Sequence, residues 1–125
     1  MRTQIKHVGD SHYSPRIQII SRSLEDIGFF EDVLAVAEYV NECIVIKIND
    51  EDIESYSELV KQVRENDSKL IQVGSVFEKE KLVPTISIIG NWLSKHGFAP
   101  CDKIIVNYEY GVIRIKKLDC SKIVF

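Results

Sequence analysis

The chain says much the same thing twice. Shifted by 69 positions, residues 15–50 align with residues 84–119 without a gap, and 12 of those 36 positions are identical. Among them are Pro15/Pro84, Ile17/Ile86, Ile19/Ile88, Leu24/Leu93, Gly28/Gly97, Phe29/Phe98, Tyr39/Tyr108, Ile44/Ile113 and Ile46/Ile115. Ordinary residue usage gives roughly two or three identities by chance over such a window. The sequence is therefore an internal duplication, and whatever one copy folds into the other should also form. A unit of this size, with a few short strands and a turn of helix, cannot bury its own sheet faces in water. Two units must close on each other, which predicts a dimer fused into one polypeptide.

Each copy reads as the same series of elements. Ile17 and Ile19 alternate with polar neighbours, as a half-buried strand requires; a short helix then carries Leu24 inward, and Gly28 ends it in the left-handed region. A hairpin follows, with Ala35, Ala37 and Tyr39 on one face of its first strand and Ile44, Ile46 and Ile48 on one face of its second. Asn41 in one copy and Gly111 in the other supply the positive φ of a tight turn. Upstream, "QIKHVGDS" at Gln4 corresponds to "KLIQVGSV" at Lys69, each a strand reaching a glycine, with a four-residue difference in length before the next strand. Between the copies, Ile53, Tyr56, Leu59, Val60 and Val63 form one stripe of an amphipathic helix with acids around it. The expected organisation is a first repeat over 1–50, a connector helix over 51–68 and a second repeat over 69–125, together one compact domain. The small Ala35 and Ala37 are expected to face the larger Ile104 and Val106 and so favour copy one against copy two.

The net charge of −3 hides a division: residues 1–22 carry +3, residues 23–83 carry −9 and residues 84–125 carry +3. Basic ends bracket an acidic middle, which is compatible with a local nucleic-acid surface and excludes a uniformly basic binder. No apolar run approaches the length of a membrane span and no signal-peptide core is present, so a cytoplasmic protein without a membrane partner is expected. Cys43, Cys101 and Cys120 are odd in number and lack the spacing and companion histidines of a zinc site. Asp50, Glu51, Asp52 and Glu54 suit the start of the connector helix better than a metal. No metal and no cofactor is expected.

The second copy, "VPTISIIGNWLSKHGFAPCDKIIVNYEYGVIRI", resembles the SymE-like toxin family, through Gly90, Trp92, Leu93, Gly97, Phe98 and Gly111. The first copy keeps Pro15, Leu24, Gly28 and Phe29 but has Ser21, Ser23 and Glu42 where that family has Gly, Trp and Gly. That family is similar in turn to the AbrB and MazE group, and "IKHVGDSHYSPR" looks like the basic arm of MazE-like antitoxins. The resemblance implies a mainly β fold with short helices, an AbrB/MazE-like swapped-hairpin β-barrel formed as an intrachain pseudo-dimer. It also implies a toxin–antitoxin-type protein that binds RNA and has endoribonuclease activity, or a DNA-binding regulator or antitoxin. A degenerate protein-interaction module is the reading without nucleic acid, and a homo-oligomer is compatible with each.

The residues that would carry nucleic-acid binding are Lys6, His7, Arg16 and Arg22, with Trp92 as a stacking platform for an unpaired base. Trp92 equally suits packing on its own domain. RNA cleavage without metal needs a general base and a general acid, for which the histidines are His7, His12 and His96. They form no recognisable triad, so catalytic residues stay unassigned. Arg114, Lys116 and Lys117, with Lys47, point largely away from Ile113 and Ile115 by strand alternation and are either a solvated face or a phosphate track.

Overall fold

The computed structural model of the chain describes residues 2–11, 14–49 and 56–118. The first repeat contains β1 (Arg2–His7), β2 (Gly9–Ser11), β3 (Ser14–Ile20), α1 (Ser23–Asp26), β4 (Leu34–Val40) and β5 (Cys43–Ile48). The connector contributes α2 (Tyr56–Glu65). The second repeat contains β6 (Lys69–Gln72), β7 (Gly74–Glu78), β8 (Lys81–Ile89), α3 (Asn91–Lys95), β9 (Lys103–Glu109) and β10 (Val112–Lys117). The protein is thus mainly β with short helices, and every ladder is antiparallel.

The strands form a six-stranded sheet in the order β1-β9-β10-β5-β4-β6 and a four-stranded sheet in the order β2-β3-β8-β7. Exchanging the repeats, β1 for β6, β2 for β7 and so on, reverses both orders and changes nothing else. A local two-fold axis therefore relates the copies. It passes through the pair Val45↔Arg114 in one sheet and Gln18↔Ser87 in the other, with Ile44↔Ile115 and Ile46↔Ile113, then Ile17↔Ile88 and Ile19↔Ile86, disposed symmetrically around it. Loop hydrogen bonds obey the same symmetry: Ser21 N–H donates to the Pro84 carbonyl and Gly90 N–H to the Pro15 carbonyl.

The outermost strands are exchanged. β1 pairs with β9 of the second repeat, and β6 pairs with β4 of the first. The register places Lys6 opposite Ile104 and Ile71 opposite Ala35, so the first strands correspond at an offset of 65 and the later elements at 69. The four missing residues come out of one hairpin: Gly9 pairs with Arg16, whereas β7–β8 runs on from Gly74↔Thr85 to Phe77↔Leu82 and Glu78↔Lys81.

Alternation puts Ile17, Ile19, Ala35, Ala37, Ile44 and Ile46 inward with their counterparts Ile86, Ile88, Ile104, Val106, Ile113 and Ile115, all at most 2% exposed. Among the described residues no polar or charged side chain is buried. Leu24 and Leu93 cap this core from α1 and α3. Each helix is stopped by the glycine anticipated: Gly28 at φ 91° and Gly97 at φ 87°, after which Phe29 and Phe98 N–H groups reach back to the Leu24 and Leu93 carbonyls. At Gly28 a Cβ would also lie 3.0 Å from the Ile48 Cδ1. Asn41 and Gly111 take positive φ at the two hairpin turns.

Two expectations need correction. The strands form two open sheets and not a closed barrel: β1 and β6 are the edges of one sheet, β2 and β7 the edges of the other, and no ladder among the described residues joins these edges. The chain passes from one sheet to the other at Val8 and at Val73, whose N–H groups still bond in register to the Asp102 and Val33 carbonyls. Ala35 and Ala37 do not face Ile104 and Val106 across a strand pair, since β5 and β10 lie between β4 and β9. The acidic positions 50–54, together with Ile53 and Cys120, lie outside the described residues.

Because each repeat supplies strands to ladders in the other, neither holds a complete sheet. Fragments 1–50 and 51–125 should each fail to fold as a monomer, and an equimolar mixture should recover a cooperative unfolding transition by circular dichroism. A folded, monomeric single fragment would contradict the exchange.

Candidate nucleic-acid interface

Three of the anticipated basic residues meet. Lys6 and His7 at the end of β1 and Arg16 near the start of β3 line a groove of about 350 Å³, together with Gln4, Ile5, Gly9, Asp10 and Gln18. The fold brings them there in steps. β1 crosses from one sheet to the other at Val8, β2 pairs Gly9 with Arg16, and the groove lies in the angle this crossing leaves. Arg16 and Gln18 alternate with the buried Pro15, Ile17 and Ile19 and so face outward.

The groove belongs to one copy alone. Lys6 occupies the position that Ile71, 3% exposed, fills in the second repeat; Gln72 stands for His7, Thr85 for Arg16 and Ser87 for Gln18. A lysine in an inward row keeps its alkyl stem along apolar surface and its ammonium at the rim. Among the described residues Lys6, His7 and Arg16 have no carboxylate within ion-pair distance, and the buried Nε of Arg16 has no hydrogen-bond partner. Asp10 is the one acid among the described residues that line the groove. A cavity of unpaired cations flanked by two glutamine amides is suited to an anion with several acceptor oxygens, such as a phosphodiester.

Arg22 stands apart. It is exposed beside α1 at the far end of β3, separated from Arg16 by a strand rising about 3.3 Å per residue. Trp92 is elsewhere again. Its indole N–H donates to the Asp67 carbonyl at 3.0 Å, its ring meets the edge of His96 with centroids 4.8 Å apart, and it packs half-buried against the core. Arg114 pairs with Glu109 at 2.7 Å and Lys117 with Asp102 at 3.2 Å.

The described histidines, His7 and His96, line different cavities and form no acid–base pair with each other. His12 lies outside the described residues. His96 is stacked on Tyr39, centroids 4.3 Å apart and planes at 24°, with Nε2 3.6 Å from an Asp67 carboxylate oxygen and without a hydrogen bond. Its counterpart is Ile27, and Trp92's is Ser23, so this aromatic cluster is particular to the second copy. It borders a cleft of about 310 Å³ lined by Glu38, Tyr39, Val40, Asn66, Asp67 and His96, which sequence reading missed because Asp67 reaches it only through the turn after α2. The hydrogen bond from Lys95, and then the charges of Lys95 and His96, hold the Asp67 carboxyl below its usual range. Burial raises the Cys43 thiol, offset in part by the Ile115 backbone and by Arg114 and Lys116. Among the described residues no three metal-ligating side chains are grouped, and no helix is long and apolar enough to cross a membrane.

Comparison with protein-family models, with curated proteins and with solved structures finds no match to this chain.

Two substitutions test the second-copy cluster as a packing element. Trp92→Phe should lower stability in urea by about 1 kcal/mol, the size of one lost hydrogen bond, and leave RNA affinity unchanged. Asp67 has a lowered carboxyl, so its ionised form contributes stability above the ordinary carboxylate range and loses it as pH falls through the lowered value. Asp67→Asn should therefore be slightly less stable than the parent at neutral pH, and the two should converge in acid.

Proposed function

We propose that the protein binds nucleic acid, RNA in preference to duplex DNA, through the groove of Lys6, His7 and Arg16. The observation that carries this reading is the meeting of three cationic or titratable side chains, unpaired among the described residues, in one open groove on a chain of net negative charge. A groove of this kind contacts phosphates, and phosphate contacts dominate affinity for nucleic acid.

The preference for RNA or another irregular strand comes from asymmetry. Two-fold proteins that read duplex DNA present the same surface to each half-site. Here the two-fold axis relates Lys6 to Ile71 and Arg16 to Thr85, so one surface is basic and its mate is not. That disfavours the DNA-binding regulator of AbrB or MazE type. The SymE-like reading, a toxin–antitoxin-type RNA-binding protein, accords with the groove and with the resemblance of the second copy. A swapped-hairpin kinship with the AbrB/MazE group is part of the same proposal, supported by the exchange of β1 and β6 between repeats. An endoribonuclease step would have His7 as the imidazole of the groove, with Asp10 as the second acid–base group among the described residues that line it.

Salt titration of RNA binding tests the groove. Replacing Lys6 and Arg16 together by Ala should reduce the slope of log K against log salt by about 1.4, near 0.7 for each phosphate contact on a single strand. Arg22→Ala should leave the slope unchanged. A double variant that binds as the parent does at every salt concentration would remove the groove from the mechanism.

A further inference from the structure

The two-fold axis makes a comparison that sequence alone does not. α2 lies on the outer face of the six-stranded sheet: its Leu59 and Val63 are 4% and 9% exposed yet stand outside the main core, and the cleft beside them is bounded by the outward-facing Val36, Glu38 and Lys47. Val36 pairs with Leu70, which completes the apolar seat. The symmetry carries Val36 onto Ile105 and Leu70 onto Ile5, which also pair with each other. At this second seat no described element takes the place of α2. Ile5 is 62% exposed and Ile105 half-buried.

The second seat differs from the first in charge. Leu34 becomes Lys103 and Glu38 becomes Asn107, while Lys47 is kept as Lys116. Lys103 and Lys116 are exposed and, among the described residues, without an ion pair. Arg114 is already held by Glu109. The seat that no described element covers is therefore the more basic of the two. α2 itself shows what shape it accepts: a helix with apolar residues at i and i+4.

We propose that the outer face around Ile5 and Ile105 is a docking site for an acidic amphipathic helix of a partner protein, seated as α2 is seated in cis. Its apolar stripe covers Ile5 and Ile105 and its carboxylates face Lys103 and Lys116. The proposed seat shares Ile5 with the groove of the nucleic-acid reading, but it is argued from a different observation, the α2-covered half of the same sheet.

The probe is a capped, fluorescent peptide of residues 51–67, whose net charge is −4, added to the full chain and followed by anisotropy. Saturable binding is expected, at least tenfold weaker in Ile5→Glu, an exposed position at which the fold should persist. Lys103→Glu with Lys116→Glu should weaken binding and remove most of its salt dependence. Absence of binding at millimolar peptide would overturn the proposal. Equal binding to Ile5→Glu would do the same, since the peptide would then be replacing α2 in its own seat. Binding only to a chain ending at Leu118 would show that residues of this chain fill the seat. Protection of Lys103 and Lys116 by single-stranded RNA and not by the peptide would assign the face to nucleic acid.

Discussion

The rest of the structure depends on the exchange of first strands between the repeats. β1 closes the sheet half that β9 and β10 build, and β6 closes the half that β4 and β5 build, so every hydrophobic face made by one copy is completed by the other. The exchange places the paired isoleucines of β3 and β8 over those of β5 and β10 on one axis, where all are essentially inaccessible to solvent. It also explains why a unit of about 50 residues can persist in duplicate. Neither copy has to bury its own faces.

With the core held in common, the copies were free to differ at their margins. The differences fall where the two-fold axis carries an inward or rim position from one chemistry to another. Ile71 completes the core where Lys6 opens a groove. Thr85 faces outward where Arg16 adds a cation, and Trp92 with His96 builds an aromatic cluster where Ser23 and Ile27 are plain. Symmetry of backbone with asymmetry of surface is the condition under which one chain offers a single binding face. The same contrast separates the sheet half covered by α2 from the half that no described element covers.

Much of this was legible in the sequence, for physical reasons. Identities at a constant offset fall on core and turn positions, where volume and φ are restrictive: Ile17, Leu24, Gly28, Phe29, Ile44 and Ile46 all do in the fold what their spacing implies. The meeting of Lys6, His7 and Arg16 could be anticipated from a glycine-bounded arm running into a strand. What the sequence hides is set by long-range geometry. The change of sheet at Val8 and Val73 depends on carbonyls of Asp102 and Val33, far along the chain, and valine is as much at home in an unbroken strand as at a corner. Arg22 reads as one more cation of the arm until β3 is seen to hold it away from Arg16. That Trp92 packs on its own domain was legible, but its partner was not, because the Asp67 carbonyl reaches the indole N–H only through the turn after α2.

The exchange can be observed directly by nuclear Overhauser contacts in the isotopically labelled monomer at high dilution. The account predicts cross-strand backbone contacts between Ile5 and Ile105 and between Leu70 and Val36, both within one chain. Contacts pairing the Ile5 strand with the Val36 strand, so that each repeat closes on itself, would contradict it.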